Sequence, residues 1–210
     1  MSHRSLPAVT LCAAAVMLGA CGSDAKPTTS PSAAAAHPTG DVLLAVEDLP
    51  EGYATSPPDA TPEVSAASSP SVEGCEALLD LFRGGGPTEA RFEAGATGPF
   101  LAESLAAVKS LDTLAAKCQT FTDTDGDGAT TSVRVETVGD FPRVGDSERV
   151  FRMSAQGGTG DDAFALSGYL VQLGVGGLTC TIVHFGQPGV DRGETESIAR
   201  AAVTKIRRRQ

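Results

Sequence analysis

The sequence is poor in the residues that catalytic and nucleic-acid-binding proteins use most. Of its 210 residues none is Trp, two are Tyr and three are His. Sixteen Lys and Arg stand against 26 Asp and Glu, which gives a formal net charge of −10. Such an acidic balance argues against a nucleic-acid partner, because that function needs basic side chains to neutralise phosphates. No run of about 20 apolar residues occurs, so no transmembrane helix is predicted.

Residues 1–20 have the pattern of a secretory signal peptide. Arg4 gives a positive start, and the apolar residues 8–18 are too few to span a bilayer as a stable helix. Residues 18–21, Leu-Gly-Ala-Cys, resemble the bacterial lipobox. The resemblance implies cleavage before Cys21 and a diacylglyceryl group on its sulfur; the alternative is an ordinary signal peptide with an incidental cysteine. We therefore expect a lipid anchor at the extracytoplasmic face of the cell membrane.

The remainder of the chain divides into a tether and one domain. Residues 21–40 hold small residues, Pro, Ser and Thr, with no large apolar side chain. Such a segment buries too little surface to offset its ordering entropy, which predicts a flexible spacer that includes His37. Residues 41–210 are then a single folded domain.

Three helices are predicted within this domain. The first spans residues 72–82, the second spans residues 110–118, and the third begins at Asp191 and continues beyond residue 200. In the first, apolar residues recur at helical spacing: Cys75, Leu78, Leu79 and Phe82. Asp191 and Glu194 have the spacing of a capping box at the start of the third.

Strands are predicted mainly in the second half of the domain. Residues 133–136 and 151–154 alternate apolar and polar side chains, as half-buried strands do. Residues 163–173 and 178–185 are apolar on both faces, so both should lie centrally in the sheet. A shorter strand is expected near residues 90–94. Together these elements predict an α+β fold, an antiparallel sheet packed with helices.

Two stretches of the first half are harder to assign. Residues 41–53 indicate a short helix and then an extended segment, before the Pro-rich residues 54–71. Residues 100–108 suit either a helix or a strand. The glycines at 84–86 are expected to end the first helix rather than to bind phosphate.

A set of short motifs is spread over the domain: Leu43, Leu44, residues 48–53, Cys75, Leu78, Cys118, Phe121 and residues 144–147. Arginine also outnumbers lysine twelve to four, a bias typical of high-GC organisms. These motifs and the order of elements resemble those of secreted sensor-type domains of actinobacterial lipoproteins and of PknH-type mycobacterial receptor kinases. The resemblance implies an extracellular ligand-sensing role without naming the ligand.

Three cysteines remain once Cys21 and the signal peptide are set aside. In an oxidising compartment Cys75, Cys118 and Cys180 would give one disulfide and one thiol, in any of three pairings. Cys75–Cys118 is favoured, because both lie on predicted helices and match the positions of the family that the chain resembles. Cys180 would then be a buried free thiol on a strand.

An acidic loop is the one candidate metal site. Asp123, Asp125 and Asp127 alternate before Gly128, like the start of an EF-hand calcium loop. Arg134 stands where that loop needs a bidentate Glu, so an Asp-Gly turn is the favoured interpretation and no metal is expected.

Enzyme motifs are missing from the sequence. His184 alternates with Ile182 on a predicted strand, which is typical of a core histidine, and no nucleophile elbow, phosphate loop or zinc cluster occurs. We expect a non-enzymatic lipoprotein without a cofactor that binds an unknown extracellular small molecule or protein. The alternative is an envelope lipid carrier, which would need a large apolar cavity.

Overall fold

The computed structural model describes residues 40–56, 69–83, 88–105 and 111–210. The predicted signal peptide, Cys21, His37 and the glycines at 84–86 lie outside these ranges. Within them, no helix combines the length and the apolar character that crossing a membrane requires.

A nine-stranded sheet, antiparallel throughout, organises the described residues. Its strands are β1 (Ala54–Thr55), β2 (Ser69–Pro70), β3 (Glu89–Glu93), β4 (Phe100–Ser104), β5 (Thr120–Thr124), β6 (Thr130–Thr137), β7 (Ser147–Gly157), β8 (Phe164–Val175) and β9 (Leu178–Gly186). Their spatial order is β1-β3-β4-β9-β8-β7-β6-β5-β2, so β8 and β9 lie centrally, as their apolar sequences predicted. The α+β prediction is confirmed.

Three α-helices cover the two faces of this sheet in the described part of the chain: α1 (Glu76–Arg83), α2 (Leu111–Lys117) and α3 (Arg192–Arg208). The backbone N–H of Glu194 donates to the Asp191 side chain at 2.9 Å, which caps α3 as predicted. A disulfide between Cys75 and Cys118 joins the start of α1 to the end of α2. This is the favoured pairing, and Cys180 is a buried free thiol.

Each face of the sheet has its own apolar core. Successive residues of a strand point to opposite faces, so Leu170 packs with α1 and α2 while Val171 packs with α3. Because both faces are covered, even polar side chains of the central strands are buried. The α3 face buries Glu103 and His184 completely.

Residues 41–53 differ from the prediction. Instead of a short helix they form two single-turn 3₁₀ helices, Gly40–Val42 and Val46–Asp48. The Asp48 carboxylate accepts a hydrogen bond from the Ala45 N–H at 2.9 Å and closes the second turn. Leu43 and Leu44 between the turns are buried, so the segment is held by contacts with the sheet rather than by its own helical bonds.

Candidate functional site

A cavity of about 490 Å³ lies between α1 and one face of the sheet. Strands β3 and β5 lie near opposite edges of the sheet, yet both line this cavity, so the sheet curves around it. Most of the lining is apolar. Its apolar members are Leu79, Phe82, Phe92, Ala96, Phe100, Leu101, Ala102, Val133, Met153, Ala155, Phe164, Leu166, Val183 and Phe185.

Small residues in the strands leave room for the cavity. Ala102 and Ala155 line it on β4 and β7. Gly168 of β8 stands opposite Met153 and Phe185, where it adds no side chain. A Cβ atom at this glycine would come within 2.0 Å of a carbonyl oxygen of β9, so a larger residue does not fit there. The cavity therefore exists because the strand register brings small residues next to one another.

Aromatic residues are concentrated around this cavity. Although aromatic residues make up only 5% of the chain, five of its eight Phe line the cavity. The rings of Phe82 and Phe185 meet edge to face, with centroids 4.8 Å apart and planes at 75°. This contact joins α1 to the floor of the cavity on β9.

Charged groups lie on two sides of the cavity. On β3, Arg91 pairs with Glu89 through its Nε, and its Nη2 donates to the carbonyl oxygen of Phe82 at 3.2 Å. The guanidinium thus holds the last turn of α1, where helix carbonyls favour a cation. On the side of β5, Asp123 and Asp125 line the cavity, and Asp123 is buried.

The acidic loop is a turn. The backbone N–H groups of Asp127 and Ala129 donate to Oδ1 of Asp125, at 3.0 Å and 2.8 Å. Nowhere among the described residues do three or more His, Cys, Asp or Glu side chains form a group that could hold a metal ion. Asp123 instead stands opposite Thr131 in the register of β5 and β6, and it lines the cavity. The geometry gives these carboxylates a role in the turn and in the cavity wall.

A buried carboxyl group lies on the opposite face, away from the cavity. The Glu103 side chain accepts a hydrogen bond from the Leu44 N–H at 2.5 Å and lies 3.4 Å from Cys180 Sγ. Burial raises the pKa of Glu103 to about 7, against the stabilising bonds from Leu44 and Cys180. Burial and the adjacent Glu103 also raise the pKa of the Cys180 thiol, so it is a poor nucleophile.

His184 is the centre of a second buried polar group on this face. Its Nε2 lies 2.8 Å from the Tyr53 hydroxyl, which donates to Glu194 at 2.7 Å. Its Nδ1 lies 2.8 Å from Oγ1 of Thr195. Burial lowers the pKa of His184 to about 4, only partly opposed by Asp191. A neutral, fully bonded imidazole agrees with the predicted core histidine.

Sequence reasoning missed the cavity. Its floor is formed by residues far apart in the chain, such as Ala102 and Ala155, and only the strand register shows that they line one space. Comparison with protein-family models, curated proteins and solved structures finds no match to this chain. The resemblance to sensor-type domains therefore stays a prediction.

Proposed function

We propose that the chain is an extracytoplasmic lipoprotein, held at the membrane through Cys21, that binds an apolar ligand in its cavity. The observation that carries this proposal is the volume and lining of the cavity, about 490 Å³ bounded mainly by aliphatic and aromatic side chains. Ligand sites commonly have volumes of about 300–1,000 Å³, with a mostly apolar lining and a few polar groups.

The polar groups around the cavity support binding rather than catalysis. Among the described residues of its lining there is no His, Cys or Lys, and the cation among them, Arg91, is paired with Glu89. The buried thiol of Cys180 and the imidazole of His184 belong to the opposite face.

Of the two roles that the sequence left open, the apolar lining favours the carrier of an envelope lipid. Membrane lipids and related apolar molecules are the ligands whose transfer from a membrane such a lining would promote. A single acyl chain or a compact ring system suits this volume better than a phospholipid with two chains.

We predict that the wild-type protein, purified from the envelope of the cells that make it, carries a bound apolar molecule in a native mass spectrum. Ala155→Phe fills the cavity and should reduce the ligand-bound fraction at least tenfold. Ala165→Phe is the matched control: Ala165 is exposed on the neighbouring strand β8, and its replacement should leave the bound fraction unchanged. Ala102→Phe provides a second filled cavity should the first variant fold poorly. Equal ligand content in wild type and both filled variants would contradict the proposal.

A separate prediction concerns the anchor. Cys21→Ser should abolish acylation and leave residues 1–20 attached, because the lipobox thiol is the group that is alkylated before cleavage. The intact mass of the membrane-bound protein distinguishes the two forms. Cys12→Ser, in the apolar part of the signal peptide, should give the wild-type mass. Unchanged processing of the Cys21 variant would show that the cysteine is incidental.

A further inference from the structure

Three side chains of the cavity lie in one row across the sheet. In the strand register Phe100 of β4 stands opposite Phe185 of β9, which stands opposite Gly168 of β8. Gly168 in turn stands opposite Met153 of β7. Phe100, Phe185 and Met153 all line the cavity. The row therefore supplies two aromatic rings and one thioether, and Gly168 adds no side chain between Phe185 and Met153.

The spacing of this row suits a flat ring. Neighbouring strands lie about 4.8 Å apart, so two strand spacings place the backbones of Phe185 and Met153 roughly 9.5 Å from each other. Side chains stand roughly perpendicular to a sheet, so the two side chains begin at about this separation. A flat ring in van der Waals contact on both of its faces needs about 7–8 Å between the two contacting groups. The interval is thus wide enough for one ring.

The helix above this row adds a further aromatic ring. Phe82 of α1 lines the cavity and meets Phe185 edge to face, with centroids 4.8 Å apart. Each additional contact of this kind with an aromatic ligand raises the binding constant by about two- to tenfold beyond the effect of burial. The sulfur of Met153 contributes a similar but smaller contact at a ring edge. A saturated chain gains none of these contacts.

We infer that the cavity prefers a ligand whose apolar part is a flat aromatic ring system over one that carries a saturated acyl chain. This inference rests on the proposed function, since it specifies the ligand class of the same cavity. The rings of Phe82, Phe100 and Phe185 contact the ring system of the ligand. Fused rings also have fewer rotatable bonds than an acyl chain, so they lose less conformational entropy on binding.

The test is a competition between three alcohols with the same number of carbon atoms: 9-phenanthrol, the fully hydrogenated alcohol of the same ring skeleton, and 1-tetradecanol. The full chain, purified in a mild non-ionic detergent from the cells that make it, receives an excess of an equimolar mixture. Native mass spectrometry measures how much of each alcohol is bound. The hydrogenated alcohol has the larger apolar surface, so burial alone would favour it. We expect instead that 9-phenanthrol is bound in at least about tenfold excess over each saturated alcohol.

Phe185→Leu should reduce the ratio of bound aromatic to saturated alcohol by about fivefold, because it removes the ring at the centre of these contacts. Phe82→Leu provides a second variant with the same expected direction, at a position that is only partly buried. Phe121→Leu is the matched control. Phe121 is buried in the apolar core of the same face but does not line the cavity, so the ratio should stay at its wild-type value. The detergent takes up each alcohol equally in all samples, so differences between variants report on the cavity.

If the wild-type protein binds none of the three alcohols, the proposed function is wrong and this inference falls with it. If it binds them but the saturated alcohols predominate, the apolar-ligand function stands and the preference for a ring system is wrong. The same conclusion follows if Phe185→Leu and Phe82→Leu keep the wild-type ratio, or if Phe121→Leu changes it as much as they do.

Discussion

Replacing both Cys75 and Cys118 with Ala is expected to lower the free energy of unfolding by about 4 kcal/mol. The disulfide closes a loop with a sequence separation of 43, and the chain-entropy model gives about this value for such a loop. The effect is large because α1 has eight residues and α2 has seven. Helices of this length are not stable alone in water, so they depend on the bridge and on packing against the sheet.

Urea unfolding at neutral pH, with and without reductant, measures this effect. The double variant should match the reduced wild-type protein. Cys180→Ala is the control: it removes a buried sulfur that forms no bridge, and it should cost only about 1 kcal/mol. A loss below that value for the double variant would show that the disulfide contributes little.

The double variant that lacks Cys75 and Cys118 should also bind an apolar ligand in the cavity more weakly. Leu79 and Phe82 of α1 line the cavity, and the disulfide fixes the residue just before this helix. Loosening α1 exposes the cavity to water and removes part of its wall. The bridge therefore links the stability of the domain to the shape of its candidate site.

The predictable parts of the fold are those whose signal is local. Strands β8 and β9 are apolar on both faces, which is sufficient to place them at the centre of the sheet. The helical spacing of Cys75 and Leu78 similarly predicted α1. By contrast, β1 and β2 have two residues each, too few for a periodic pattern. Strand β5 is mostly Thr and Asp, so its pairing with β6 is visible only in the structure.

The burial of Glu103 could not be predicted from the sequence either, and the reason is a different one. Glu103 follows Leu101 and Ala102 in a stretch that suited either a helix or a strand, and a Glu in such a pattern normally faces solvent. It is buried because residues 40–49 and α3 cover this face of β4. That cover depends on tertiary contacts across 59 residues, the separation of Leu44 and Glu103.

Glu103 and His184 should act on stability in opposite directions as the pH changes. The pKa of Glu103 rises from 4.5 to about 7 on folding, so the folded protein binds more protons than the unfolded one between these values. Glu103 therefore contributes fully to the free energy of unfolding below pH 4.5, and this contribution is lost as the pH rises through 7. The pKa of His184 falls from 6.5 to about 4 on folding, so its contribution is full above pH 6.5 and is lost as the pH falls towards 4. Each amounts to roughly 3 kcal/mol over its full range.

Between pH 4.5 and 6.5 these two slopes cancel, and the wild-type free energy of unfolding should be nearly constant. Glu103→Gln removes the loss of stability with rising pH and leaves the gain from His184. The free energy of unfolding of this variant should therefore rise by about 3 kcal/mol between pH 4 and 6.5. His184→Gln removes the other, so its stability should fall by a similar amount between pH 4.5 and 7. The lowered pKa values of Asp48, Asp140 and Asp146 act below the ordinary Asp pKa of 3.8, outside this window.

Chemical unfolding curves at half-unit intervals from pH 4 to 8 measure these profiles. Glu136→Gln is the matched control, since its exposed side chain on β6 is hydrated in both states and its removal should leave the profile flat. Both buried groups hold residues 40–53 to the sheet, Glu103 through the Leu44 N–H and His184 through the Tyr53 hydroxyl. Because the two groups titrate in opposite directions, the free energy that holds residues 40–53 on the sheet should stay nearly constant at mildly acidic pH. Parallel profiles for the wild type and both variants would show that neither buried group governs the pH dependence.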